Sequence, residues 1–483
     1  MTFDADAAYL AVKARDARFD GRFFVGVTST RIYCRPVCRV RTPKRENCRF
    51  YDTPAQAEAQ HFRPCLKCRP ELAPGLSLMD SSQVLAQHAA HQIEDAAREG
   101  RELYMPEVAT RLGVTDRHMR RIFQDAHGVS PQEFLNTQRL LLAKQLLTDT
   151  PMPVTQVALA SGFTSLRRFN AAFLQSYRLS PSALRRERPG APAVSDGALT
   201  VRLGYRPPYD VSGVLRFFRD RQIAGVESVS EGDIRRTLAW PHPAGLLTGW
   251  IAARFDETRN EVELKIAPAL MPVLASVLQR LRQALDLDAD PARVDPGLAA
   301  LPVPPRAGIR VPNGMNGFEI AARVILGQQV TVAAARTLTQ RLVERFGEPV
   351  ETPFPELNRL FPSAQGIAQA DPEVIGKLGI VRQRVRALQV LAAAVDEGQI
   401  VLHRGAPLEA TLDALRALPG IGEWTVQLIA MRALAWPDAF PATDIGVLNA
   451  LGTRDVRAVQ AQAEAWRPWR AYAVMRLWQT LEQ

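Results

Sequence analysis

Three stretches of the chain alternate apolar and polar residues with the period of a strand: LTVRLGY (199–205), GWIAARF (249–255) and EVELKIA (261–267). In MPVLASVLQRLRQAL (271–285) the apolar residues recur instead at helical spacing, so residues 199–300 are expected to form a small α/β unit. Beyond Pro302-Val303-Pro304-Pro305 the pattern stays helical, which makes 305–483 a helical domain. Upstream, MPEVATRLGVTDRHMRRIFQDAHG (105–128) and VTQVALASGFTSLRRFNAAFLQSY (154–177) repeat at an offset of 49, pairing Val108 with Val157 and Thr115 with Thr164. The offset is 50 at Ser130-Pro131 and Ser180-Pro181, so the extra residue is expected beyond the second helix. Each copy reads as helix, glycine turn, helix, with Thr115 or Thr164 as the cap. The second helix then shows Arg117, Arg120 and Arg121, or Arg167 and Arg168, as a recognition helix would. RPGAPAVSDGA (188–198) lacks apolar periodicity and reads as a linker that couples the flanking halves loosely.

Within the helical part, LPGIG (418–422) follows the helical run TLDALRA and precedes another helix near Glu423. Gly420 and Gly422 are expected to permit backbone conformations that a side chain would oppose, leaving amides at the helix start free for a DNA phosphate. A plain interhelical turn has the same spacing. Asp444 comes after Pro441 and before Ile445, Val447 and Leu448, which makes it the N-cap of the next helix.

Composition adds a division of labour. The net charge is +10, and residues 1–190 carry 28 Lys+Arg against 19 Asp+Glu, a surplus of 9, while the remaining 293 carry 32 against 31. A basic excess in one half suits phosphate binding, and the seven tryptophans of the other half suit a stacking pocket. Asp4 and Asp6 stand where a signal peptide would be basic and then apolar, and no run of 18 apolar residues occurs, so the expected location is the cytoplasm, with no membrane partner. All five cysteines precede residue 70. Cys34 and Cys38 (C-x3-C) and Cys65 and Cys68 (C-x2-C) form two close pairs 26 residues apart, suited to one tetrahedral Zn2+, whereas Cys48 reads as a small buried hydrophobe. Arg31, Arg35, Arg39, Arg41, Lys44 and Arg45 crowd the first pair, a surface that would receive nucleic acid at the metal.

Four ordered matches, YRPPYD (205–210), VILGQQV (324–330), LPGIGEWTV and WRPWRAYAVMRLW (466–478), resemble the DNA-3-methyladenine glycosylase II family of helix-hairpin-helix enzymes from about Leu199 to Gln483. The resemblance implies Asp444 as the catalytic carboxylate, Phe217, Trp424 and Trp478 around an extruded base, and Gln328, Gln329, Gly420 and Gly422 against DNA. Family members place Leu where Gln329 stands and an aromatic where Leu428 stands. Bifunctional relatives carry a Lys where Trp424 stands, so hydrolysis without strand cleavage is expected. The run from FDGRFFVGVTSTRIYC to HFRPCLKCRPE resembles the N-terminal domain of the adaptive-response (Ada) methylphosphotriester repair proteins, which implies that Cys34 is both a zinc ligand and the acceptor of a methyl group. The repeated unit resembles the AraC-type regulator domain, its two modules joined by a long helix (about 132–147).

The expected chain is therefore multidomain α+β and predominantly α: a zinc-binding α/β domain (1–75), a double helix-turn-helix (80–187), the α/β unit (199–300) and a helix-hairpin-helix glycosylase domain (305–483). Its expected partners are alkylated duplex DNA, a promoter operator and RNA polymerase. No PCHR motif occurs, so O6-methylguanine transfer is not expected. The competing reading is a methylation-activated regulator whose C-terminal half only holds DNA.

Overall fold

The computed structural model describes residues 5–15, 23–51, 54–68, 70, several positions between 82 and 97, 103–112, 114–150, 152–186, 198–243 and 245–481. The expected linker lies outside them except for Ala198. By proximity the chain divides into two bodies, 1–96 with 102–138, and 97–101 with 139–483.

In the first body, α1 (Ala5–Ala14) and α2 (Pro54–Ala59) accompany a four-stranded sheet of β1 (Phe24–Val27), β2 (Ile32–Cys34), β3 (Cys48–Tyr51) and β4 (Arg63–Pro64), in the order β3-β1-β2-β4. The short parallel pairing of β2 with β4, Ile32 opposite Arg63 and Tyr33 opposite Pro64, draws the two cysteine pairs together. The same body holds the first helix-turn-helix copy, α3 (Met105–Arg111) and α4 (Asp116–His127). A long helix, α5 (Pro131–Asp149), follows, and the division between the bodies falls inside it.

The second copy, α6 (Val154–Ala160) and α7 (Leu166–Tyr177), belongs to the second body. Thr115 caps α4, its hydroxyl accepting from His118 N at 3.2 Å. In α7 the cap is Ser165, which accepts from Arg168 N at 3.4 Å, and not the expected Thr164. The second helices are thus offset by 50, so the inserted residue lies in the turn before the second helix rather than beyond it. Loose coupling across 188–198 is also not observed: Leu140, Leu146, Phe169 and Phe173 share one apolar cluster with Leu199, Val201 and Leu264 of the neighbouring sheet.

That sheet is antiparallel, ordered β5-β9-β8-β7-β6, from β5 (Leu199–Gly204), β6 (Glu227–Val229), β7 (Asp233–His242), β8 (Gly245–Asp256) and β9 (Glu261–Ile266). The three expected strands are present and two more, β6 and β7, complete it. Helix α8 (Val211–Arg221), between β5 and β6 in the chain, packs Val211, Val214 and Leu215 with this sheet and Phe217 into the core of the helical domain; it is capped by Asp210, which accepts from Gly213 N at 3.0 Å. In the helical domain α9 (Gly317–Leu326), α10 (Val332–Phe346), α11 (Arg382–Asp396), α12 (Leu408–Arg416), α13 (Glu423–Arg432), α14 (Ile445–Ala450) and α15 (Arg470–Gln479) surround a second core. Trp466, fully buried, and Trp436 pack into it. No described helix is long and apolar enough to cross a membrane.

Candidate active site and metal centre

The α12–α13 hairpin turns at Gly420, whose φ of +82 is the left-handed conformation that L side chains disfavour, and a Cβ there would stand 3.0 Å from Ala387 Cβ. Gly422 differs from expectation: it is extended, φ −89 and ψ 172, with open space around it, so another residue would fit. At the start of α13 the first amides have no intrahelical acceptor and remain available to an anion. Gln328 braces the hairpin, its Nε2 donating to Gly420 O and to Thr425 Oγ1 at 3.0 Å each. Arg384 Nη2 in turn holds Gln328 O. Gln329, beside it, is exposed with a φ of +53, a conformation fixed by this bracing.

Asp444 is the N-cap of α14, as expected, and is 7% exposed. Its Oδ1 accepts from Val447 N at 3.1 Å and from Trp478 Nε1 at 2.8 Å. Its Oδ2 accepts from Trp424 Nε1 at 2.9 Å. Two of the three expected pocket aromatics therefore meet at the carboxylate, both half-buried. Gly446 flanks the Trp478 bond: a Cβ there would lie 2.9 Å from Trp478 Cδ1 and 3.0 Å from both Asp444 Oδ1 and Trp478 Nε1, crowding the bond from the side. Sequence reasoning passed over this glycine, because one glycine inside a short helix carries no periodic signal.

Phe217 is buried at 3% exposure, with the guanidinium of Arg221 over its ring at 3.9 Å and that of Arg432 at 4.7 Å. Leu428 is buried in the helical core. Beneath Arg432 lies a cluster of charges: Arg236 reaches Glu319 at 2.7 Å, and Arg323 reaches Glu227 at 2.7 Å and Glu319 at 2.8 Å. Burial, then the neighbouring Arg221 and Arg323, lower the Arg432 guanidinium to about 9.

In the first body the sulfur atoms of Cys34, Cys38, Cys65 and Cys68 all lie within 4.8 Å of one another, and all four residues are buried. Tetrahedral Zn–S bonds of about 2.3 Å require sulfurs roughly 3.8 Å apart, so this donor set fits Zn2+. The strand pairing is extended by Cys65 N, which donates to Tyr33 O at 3.0 Å, and Arg35 N points at Cys68 Sγ at 3.5 Å. The thiols crowd one another: Cys38 and Cys68, then burial, push the Cys34 thiol far up, while Cys34 and Cys68 draw Cys38 down to about 2. Four sulfurs at this spacing call for a cation to share. Cys48 is buried on β3 outside this group and donates to Lys44 O at 3.3 Å, in line with its expected packing role. On the recognition helices Arg117, Arg120, Arg121, Arg167 and Arg168 are all exposed, although Arg120 is paired with Asp116 at 2.8 Å.

The fold and these two centres define a base-excision glycosylase of the helix-hairpin-helix class, joined to a zinc methyl-acceptor domain and a helix-turn-helix regulator domain. Four family profiles match along the chain: the metal binding domain of Ada over residues 7–71, a helix-turn-helix domain over 108–187, the AlkA N-terminal domain over 200–316, and the HhH-GPD superfamily of base excision DNA repair proteins over 322–468. The chain belongs to the family of bifunctional transcriptional activator/DNA repair AlkA proteins: it is 36% identical to the Mycobacterium tuberculosis (strain H37Rv) protein named "Probable bifunctional transcriptional activator/DNA repair enzyme AlkA", over 100% of this chain and 97% of that one. It is also 34% identical to the DNA-3-methyladenine glycosylase 2 of Escherichia coli K12, over 58% of this chain and 96% of that one. A third likeness, 31%, is to the Escherichia coli K12 transcriptional activator/DNA repair enzyme Ada, over 33% of this chain and 42% of that one. The chain is thus a DNA glycosylase that holds one Zn2+ and has DNA as its partner.

Proposed function

We propose that the glycosylase half releases alkylated bases such as 3-methyladenine by hydrolysis. The observation that carries this reading is the buried Asp444 carboxylate, held by two indoles, one of them in the first turn after the α12–α13 hairpin. An alkylated purine is cationic, so aromatic faces favour it and it departs readily with the electrons of the N-glycosidic bond. Asp444 stabilises the cationic sugar left behind and orients the water that adds to it, giving an abasic site. Gln329 and the amides after Gly420 face the DNA. In the other half, Cys34 takes the methyl group of a methylphosphotriester, forming a thioether as the C–O bond breaks and leaving a phosphodiester. Zn2+ on Cys34, Cys38, Cys65 and Cys68 holds that sulfur as a thiolate. The paired recognition helices then read a promoter operator in the cytoplasm and bring RNA polymerase to it.

The test is Asp444→Asn, which keeps the cap and most of the shape while removing the charge. Base release from methylated duplex DNA is expected to fall by about two orders of magnitude or more, with affinity for abasic DNA retained. Near-normal turnover would return the C-terminal half to a DNA-holding role.

A further inference from the structure

A carboxylate offers about four lone-pair positions, two on each oxygen. At Asp444 they are unequally used. Oδ1 accepts both Val447 N and Trp478 Nε1, which fills it, whereas Oδ2 accepts, among the described residues, only Trp424 Nε1, which leaves one position open there. The backbone fixes one of these bonds, since Val447 N belongs to the first turn of the helix that Asp444 caps. Trp478 fixes the second, from a residue 34 positions away on α15, and a Cβ at 446 would press on the indole at 2.9 Å and on both bonded atoms at 3.0 Å, so the glycine leaves the bond uncrowded.

We propose that Asp444 works through a single oxygen, Oδ2, and that Trp478 and Gly446 are positioning residues that enforce this. Their contribution is an N–H bond and the room for it, separate from any stacking of the indole on a base. With Oδ1 pinned at two points the carboxylate plane cannot rotate about the Cβ–Cγ bond, so the open position on Oδ2 keeps one direction. Without the indole N–H the plane is held only by the cap and by Trp424, and the oxygen that must face the sugar spends part of its time elsewhere. The inference rests on Asp444 being the carboxylate of base release, and the experiment separates failure of that assumption from failure of this one.

Trp478 is replaced, in the full chain, by 3-benzothienylalanine, which keeps the two fused rings and loses the N–H. Single-turnover release of 3-methyladenine and affinity for abasic DNA are measured for this variant, for Gly446→Ala, for the double variant and for Asp444→Asn, with thermal melts confirming folding. The expected result is a fall in the release rate of about tenfold or more for each single variant, as loss of a hydrogen bond to a charged group gives, with DNA affinity unchanged. Because both changes break one bond, the double variant should be no slower than the slower single variant. In the folded wild type, the Trp478 indole N–H signal in the nitrogen–proton correlation spectrum should shift on Asp444→Asn. If Asp444→Asn is inactive while the benzothienyl variant releases base at the wild-type rate, the one-oxygen arrangement is wrong. Additive losses in the double variant would equally overturn it. An active Asp444→Asn would instead remove the reading on which it rests.

Discussion

Replacing Glu319 by Gln should destabilise the second body strongly, and the size of the effect follows from its surroundings. Glu319 is 2% exposed on α9 and receives Arg236 at 2.7 Å and Arg323 at 2.8 Å. Burial pushes its carboxyl up, but Arg236 and Arg323 outweigh burial and hold it below the usual 4.5. A depressed carboxyl stabilises above its unfolded value and loses that contribution as pH falls through the lowered one, so the pair is fully formed at pH 7. In wild type two carboxylates, Glu227 and Glu319, face three guanidiniums, Arg236, Arg323 and Arg432. The substitution leaves one carboxylate for three. Each contact at this range amounts to about 4 kcal/mol at an effective dielectric near 20, and the relief of one buried charge returns part of that. Breaking one side of such a pair costs about 3–5 kcal/mol, a large share of a typical domain's stability. Urea unfolding followed by tryptophan fluorescence measures it. Adding Arg323→Met, which removes a stranded cation, should recover part of the loss. A loss below about 1 kcal/mol, or no recovery in the double variant, would refute the reasoning.

Asp286 should weaken the fold as pH rises. Burial lifts its carboxyl to about 6, against the bond from Val311 N and that from Tyr472, so the stability it favours is present below its unfolded value and lost as pH rises through 6. Asp286→Asn should flatten the difference between urea midpoints at pH 4.5 and 7.5, worth about 2 kcal/mol. Since Trp424 stands where a Schiff base would need a lysine, glycosylase product should nick only after alkali or heat, and borohydride should trap no enzyme–DNA adduct. Methylating Cys34 changes the formal charge of a four-thiolate Zn2+ site from −2 to −1, which lessens repulsion of phosphate by about 1 kcal/mol. Operator affinity should therefore rise roughly fivefold after exposure to methylphosphotriester DNA, a gain that shrinks with salt and is missing in Cys34→Ser; equal affinities of the two wild-type forms at low salt would exclude the switch.

What the sequence discloses about the fold depends on whether burial follows local periodicity. The helix-turn-helix copies are legible because their apolar positions, Val108 with Val157 and Ala109 with Ala158, repeat without help from distant partners. Strands β5, β8 and β9 are legible for the same reason. Strand β7 is not, because in DIRRTLAWPH the inward phase of Ile234 and Leu238 is occupied between them by Arg236, a charged residue that interrupts the apolar alternation. Its charge is tolerable only because Glu227 and Glu319, on other elements, come to meet it. The misplaced cap has a different origin: Thr164 and Ser165 are both good N-caps, and only the start of α7 at Leu166 decides between them.

The site shows the same limit more sharply. Asp444 is legible because hairpin, helix, proline and carboxylate follow one another in the chain, so order alone singles it out. The four cysteines are legible because ligand spacing is local within each pair, and the β2–β4 pairing need only join the pairs. The inward turn of Gln328 is not legible, since its partners Gly420 and Thr425 lie 92 and 97 residues away and the adjacent Gln329 is chemically identical. Gly446 is the extreme case. Its role is to place no atoms against the flank of the Trp478–Asp444 bond, and an omitted side chain acquires meaning only when the groups it would crowd are known. A residue that acts by being absent from a space leaves the same letter in the sequence as one that merely ends a turn.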